Sequence, residues 1–154
     1  MTDLNLEMVK ADGWDLEHVP KKFITPEICL AAVQRHGNAL AHVPEEFITP
    51  EICLAAVTNS GFALFYVPWK LQTTEMCLIA LKEGEDIKGA IFYYMSPECI
   101  TPGMYVVFVN KRGANLKIVP NEFKTPEVCL AAIRQNPDAE QYSPYSVLEL
   151  MSLI

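Results

Sequence analysis

The sequence predicts an all-α protein: a right-handed α-solenoid-like stack of helix–turn–helix repeats of period 24 in one domain. Two observations support this. The nine residues TPEICLAAV occur at 25–33 and again at 49–57. Thr-Pro pairs begin at 25, 49, 101 and 125, and Thr-Thr begins at 73, so successive spacings are 24, 24, 28 and 24. Such a fixed period is typical of repeat architectures, in which each unit buries its apolar face against its neighbours.

The repeat reads G-x-A-L-x-x-V-P-x-x-F-x-T-P-E-I-C-L-A-A-V, and the longer spacing comes from four extra residues within 82–89. The fourth unit departs most from it, with Gly103 in place of the glutamate and Tyr105 in place of the cysteine. We divide the chain into an N-terminal capping half-repeat at 1–12, repeats at 13–36, 37–60, 61–88, 89–112 and 113–136, and a C-terminal cap at 137–154.

Each unit is predicted to hold a longer and a shorter helix. The Thr-Pro-Glu triplet at 25–27 supplies an N-cap, a first-turn proline and an acid at the positive end of the helix dipole. We expect this helix to end at Gly37 in a left-handed turn. A shorter helix is expected at 38–43, followed by a proline turn that brings Phe47 to the core. Leucine-rich repeats are of similar length, but ICLAAV lacks their alternating L-x-L strand.

This motif resembles the short helical repeats of a family known only as a domain of unknown function and found in many bacterial proteins. Those repeats have a similar form, G-x-A-L followed by E-V-V-L-A-A-V, and the resemblance covers residues 13 to about 136. It implies an all-helical repeat. It implies no activity, and it supplies no catalytic residues.

Composition narrows the function classes. The 154 residues carry a net charge of −7, which disfavours binding to the nucleic-acid backbone. No apolar run approaches the length of about 20 residues that a membrane helix requires. The acidic N-terminal segment is unlike a signal peptide. We therefore expect a cytoplasmic protein that binds neither nucleic acid nor membrane.

The cysteines are expected to be free thiols that fill small gaps between helices. Four of them, Cys29, Cys53, Cys77 and Cys129, share one repeat position, and Cys99 replaces a phenylalanine of the other units. Equivalent positions on packed helices lie about 8–10 Å apart, too far for a disulfide. A ladder also does not converge on one metal ion. Metal binding or a redox role is the alternative.

The sequence shows no nucleophile elbow, phosphate-binding loop or dinucleotide fingerprint, so we expect no enzyme, no catalytic residues, no cofactor and no metal. The alternative is a small-molecule or metal-binding protein with a pocket near the four-residue insertion in 82–89. In that reading, His18 and His42, which share a repeat position, are the candidate metal ligands.

A protein or peptide partner, of unknown identity, is the preferred ligand, because binding surfaces of repeat proteins lie where the units differ. The third and fourth units concentrate aromatic residues at variable positions, as interaction hot spots do. The alternative is that these rings fill the core beside the insertion. The predicted partner-binding residues are Phe62, Phe65, Tyr66, Trp69, Tyr93 and Tyr94.

The C-terminal segment VLELMSLI is apolar on nearly all sides. Either it folds back over the last repeat or it is buried against a second chain. A homo-oligomer formed through residues 145–154 is therefore a further hypothesis.

Overall fold

The computed structural model describes residues 2–83 and 90–153, which are all-helical and contain no strand. The all-α prediction is confirmed for this part of the chain. The α-helices are α1 (Thr2–Ala11), α2 (Pro26–Arg35), α3 (Pro50–Asn59), α4 (Thr74–Glu83), α5 (Pro102–Lys111), α6 (Pro126–Gln135) and α7 (Val147–Ser152).

The connections between α-helices contain 3₁₀-helices, where the sequence suggested only a shorter helix and a turn. Six-residue segments lie at Gly13–His18, Gly37–His42, Gly61–Tyr66, Gly113–Ile118 and Pro137–Tyr142, and a five-residue one at Ala90–Tyr94. Three-residue turns lie at Lys21–Phe23, Glu45–Phe47, Trp69–Leu71, Pro97–Cys99 and Asn121–Phe123.

The α-helices begin as the sequence predicts. The side-chain oxygens of Thr25 and Thr49 accept the N–H groups of the residues three positions on, both at 3.3 Å, and a proline occupies the first turn. Thr73 makes the same bond at 3.2 Å although Thr74 replaces the proline. The cap therefore needs the threonine oxygen and not the proline.

The expected left-handed turn at Gly37 is wrong. His36, which caps α2, has φ −140° and ψ 106°, an extended conformation, and Gly37 does not have positive φ. Glycine is required here by close approach instead: a Cβ on Gly37 would lie 2.2 Å from the carbonyl oxygen of Ala56, in the following α-helix, α3. Gly13 and Gly113 make the equivalent approach to Ala32 and Ala132.

The described chain divides into two compact units. The first comprises residues 2–83 and 94–99, and in it α1 packs on α2, α2 on α3 and α3 on α4. The second comprises residues 90–93 and 100–153, in which α5 packs on α6. Within each unit, the glycine-led 3₁₀-helices pack on the α-helices before and after them.

The core of each unit is formed by the same repeat positions. In α3, Ile52, Cys53, Ala56 and Val57 are buried, and α2 buries the same four positions. α5 buries Met104, Tyr105, Phe108 and Val109 there. Within the second unit, α5 therefore holds large rings where α6, and α2 to α4 of the first unit, hold cysteine and alanine.

Candidate functional site

Side chains of neighbouring repeats meet at one recurring place in the fold. Counted from the glycine that begins each repeat in the sequence, the fifth residue of one repeat faces the sixth residue of the next. In the first unit, a Glu17 carboxylate oxygen lies 4.0 Å from His42 Nε2 at this place. Two repeats on, the rings of Phe65 and Tyr94 lie there with centroids 4.0 Å apart. The same contact is therefore polar at one end of the unit and aromatic at the other.

The aromatic contact extends into a larger cluster, because the ring of Phe62 lies 6.0 Å from that of Phe65. Phe62 and Phe65 are half-buried, whereas Tyr94 is 46 % exposed. Tyr66 and Trp69 follow along the chain and are 45 and 57 % exposed. We call Phe62, Phe65, Tyr66, Trp69 and Tyr94 the aromatic face. Its two phenylalanine rings are half-buried and pack against each other, and its other three rings are exposed to solvent.

Tyr93, the remaining predicted partner-binding residue, belongs to the second unit. It is 83 % exposed and borders a cavity of that unit. The predicted set is thus divided, with five residues in the first unit and one in the second.

A buried amide supports the aromatic face. Gln72 occupies the repeat position of Ile24 and Ile48 and is buried. Its Nε2 donates to the carbonyl oxygens of Tyr94, at 2.8 Å, and Val67, at 3.2 Å. Its Oε1 accepts the N–H of Ser96 at 2.6 Å. Because these bonds hold the backbone on both sides of Met95, they hold Tyr94 against Phe65.

The five cysteines are free and buried, as predicted. Burial raises the pKa of the Cys29 and Cys53 thiols to about 11 and that of Cys77 to about 12. Thiolate is the nucleophilic form, so burial suppresses the reactivity of these three side chains. The ladder cysteines fill core space and are not candidate nucleophiles.

Two histidine rings, those of His36 and His42, contact the ring of Trp14. The His42 ring meets the Trp14 ring edge-on at 6.0 Å, and the ring of His36, which the sequence did not single out, stacks on Trp14 at 6.2 Å. His36 Nδ1 accepts the N–H of Gly13 at 3.2 Å and lies 3.0 Å from Asp12 Oδ1. Accepting from Gly13 requires a lone pair on Nδ1, whereas donating to Asp12 requires a hydrogen on the same atom, so the ring makes only one of these two bonds at a time.

His18, the other histidine proposed as a metal ligand, is exposed. Across residues 2–83 and 90–153, no three His, Cys, Asp or Glu side chains are grouped so that they could hold a metal ion. The pocket expected at the insertion falls partly on residues 84–89, which lie outside the described residues.

Sequence reasoning missed four residues that line the cavity in the second unit, namely Phe92, Tyr105, Phe108 and Ile118. The sequence signal lies in the fourth repeat. Phe92, Tyr105 and Phe108 are large rings at positions where other repeats have Leu, Cys and Ala. From the sequence alone, they show only as departures of the fourth repeat from the common pattern.

The fold and these contacts define an all-helical protein built from repeat-like units. A family model described as a domain of unknown function (DUF4116) matches residues 3–48 and, overlapping, residues 25–72. The first match ends at residue 48 and the second at residue 72, and this difference of 24 residues is one repeat period. The N-terminal region is therefore similar to this family, and the resemblance predicted from the sequence is confirmed there.

The other comparisons gave no match, either among curated proteins or among solved structures. Within the described ranges, each helix is too short or too polar to cross a membrane.

Proposed function

We propose that this chain is a non-enzymatic helical-repeat scaffold that binds a protein or peptide partner through the aromatic face. One observation carries the proposal: Tyr94 exposes a large ring against the packed pair Phe62 and Phe65, and Tyr66 and Trp69, nearby in the chain, expose two more. Tyrosine and tryptophan supply much of the binding energy of protein interfaces, because each buries a large area with little loss of conformational freedom.

The wider architecture in this proposal is a right-handed α-solenoid-like stack acting in the cytoplasm. It is supported by the period of 24 residues and by the consecutive packing of α1, α2, α3 and α4 in the first unit. Tyr93 belongs to the proposed partner surface as an exposed ring of the second unit. The exposed apolar residues of α7 support self-association through residues 145–154.

Trp69 offers a sharp test because the repeat itself provides a substitute. Asn121 occupies the same repeat position, and its turn folds as the Trp69 turn does. Trp69→Asn is therefore expected to preserve the fold and to remove one exposed ring. Trp14→Ala is the matched control, because Trp14 is an exposed tryptophan outside the aromatic face.

The measurement is affinity capture from native cytosol, with circular dichroism on each variant. We expect a partner that the wild type and Trp14→Ala retain and that Trp69→Asn, with an unchanged helical spectrum, loses. A partner retained equally by all three proteins would exclude the aromatic face as its binding site.

A further inference from the structure

A cavity of about 240 Å³ opens in the second unit. Every lining residue is in that unit, and none carries a charged side chain at neutral pH. The cavity is lined by Phe92, Tyr93, Ile100, Tyr105, Phe108, Ile118 and Pro120.

Large rings at close-packing positions border the cavity. Tyr105 stands where the ladder cysteines stand, and Phe108 stands where other repeats have alanine. Cys53 and Ala56, their counterparts in α3, are fully buried and let the neighbouring segment approach closely. In the second unit, the Phe92 ring stacks on Tyr105 at 4.6 Å and meets Phe108 edge-on at 5.2 Å. The cavity lies beside these packed rings.

Tyr93 and Ile118 are, with Pro120, the exposed residues of the lining. They occupy the same inter-repeat place as Glu17 and His42, but here both residues are uncharged. Tyr93 is 83 % and Ile118 48 % exposed. A ligand can therefore enter between them without displacing the core.

We propose that this cavity binds an uncharged, planar aromatic small molecule of one or two fused rings. A dry apolar cavity of about 150 Å³ is known to hold benzene, so 240 Å³ has room for a bicyclic ring. The walls offer ring faces, ring edges and aliphatic groups, which favour offset or edge-on packing of another ring. A charged ligand is disfavoured because the lining provides no opposite charge to offset its desolvation. The lining contains none of the five residues of the aromatic face, although Tyr93 also belongs to the proposed partner surface, and the proposal does not rest on the scaffold function.

Indole is the test ligand. The chain is labelled with ¹³C at the isoleucine δ1 methyl groups, and indole is titrated while the methyl resonances are followed by NMR. Ile100 and Ile118 line the cavity, whereas Ile24 and Ile48 occupy the repeat position of Ile100 in the first unit. We expect the first pair to shift, in a saturable way, and the second pair to stay unchanged. No shift at Ile100 and Ile118, or equal shifts at all four, would overturn the proposal.

A variant that fills the mouth of the cavity provides a second test. Ile118→Trp places a ring at the mouth, and His18→Trp makes the same change at the same repeat position of the first unit. Indole affinity, followed at Ile100, is expected to fall by about tenfold or more in the first variant and to be unchanged in the second. Equal affinity in both would place indole elsewhere. If a Trp-containing tripeptide shifts Ile100 and indole does not, the cavity takes a protein side chain and the small-molecule proposal is wrong.

Discussion

The ring centroids of Phe65 and Tyr94 lie 4.0 Å apart. These two residues occupy the repeat positions that Glu17 and His42 occupy in earlier repeats, where a carboxylate oxygen of Glu17 lies 4.0 Å from His42 Nε2. One backbone arrangement thus carries an aromatic pair in one repeat and a polar pair in another. This explains how the units differ in surface chemistry while they keep the same helices.

The Phe65–Tyr94 pair is expected to couple energetically. Edge-on aromatic pairs contribute about 0.5–1.5 kcal/mol beyond their buried area. A double-mutant cycle with Phe65→Ala and Tyr94→Ala, measured by urea unfolding, should give a coupling energy in that range. Glu17→Ala with His42→Ala is the matched cycle for the exposed polar pair, and about 0–1 kcal/mol is expected there. Additive effects in the aromatic cycle would show that the rings contact without stabilising each other.

Gly37→Ala is expected to destabilise the fold strongly. The new Cβ would lie 2.2 Å from the Ala56 carbonyl oxygen and 2.9 Å from the Ser60 nitrogen, and these backbone atoms cannot move aside as a flexible side chain can. The expected loss in the free energy of unfolding is about 1–3 kcal/mol or more. Gly103→Ala is the control, because the nearest atom to its Cβ is Thr101 Oγ1 at 3.9 Å and it lies in the first turn of α5. That change should stabilise by up to about 1 kcal/mol; similar losses in both variants would contradict the close-approach explanation.

Gln72→Ile restores the common repeat residue and is nevertheless expected to destabilise. It removes the acceptor of the Ser96 N–H and the donor to the Tyr94 carbonyl. Leaving buried polar groups without partners costs about 1–3 kcal/mol each. Lys124 occupies the same repeat position and donates a single bond, to the Tyr142 carbonyl at 3.0 Å. Lys124→Ile should therefore have the smaller effect on chemical unfolding, and the reverse order would contradict this account.

Stability should fall as pH rises above about 9. Burial raises the pKa of the Cys53 thiol from its ordinary value of 9.0 to about 11. The stabilisation is complete below the unfolded pKa and is lost as pH rises through the folded pKa, because unfolding then releases protons. The loss at pH 10 is about 1 kcal/mol for one such thiol. Urea unfolding at pH 7.5 and 10 measures it, and Cys53→Ala should show a smaller decrease; an unchanged decrease would assign the pH dependence to other groups.

The C-terminal segment is expected to mediate self-association. Leu148 and Met151 are 81 and 66 % exposed on α7, while Leu150 is buried and anchors the helix. Leu148→Glu with Met151→Glu should therefore keep the fold and lower the sedimentation coefficient to that of a monomer. Leu4→Glu, at another strongly exposed leucine, is the control and should leave association unchanged. A wild-type chain that stays monomeric at high micromolar concentration would contradict the hypothesis.

Much of the fold could be predicted from local patterns. Thr25 and Thr49 cap their helices through bonds that span only three residues, so the cap is readable from the sequence alone. The repeat placed α1 to α6, with α5 displaced by the four extra residues, and the ladder cysteines were correctly assigned to the core. The reason for Gly37 was not readable, because its close neighbour is Ala56, 19 positions away in another helix.

The candidate sites divide in the same way. The sequence determined which residues depart from the repeat: the rings at 62, 65 and 66, Gln72, and the large side chains at 92, 105 and 108. Only the tertiary structure decided that Phe65 packs on Tyr94 while Trp69 faces solvent, and that Tyr105 and Phe108 border an open cavity. The physical reason is that the fate of each ring depends on the space left by the next repeat. Capping and helix periodicity act within one turn of the chain, whereas that space is set by packing between repeats.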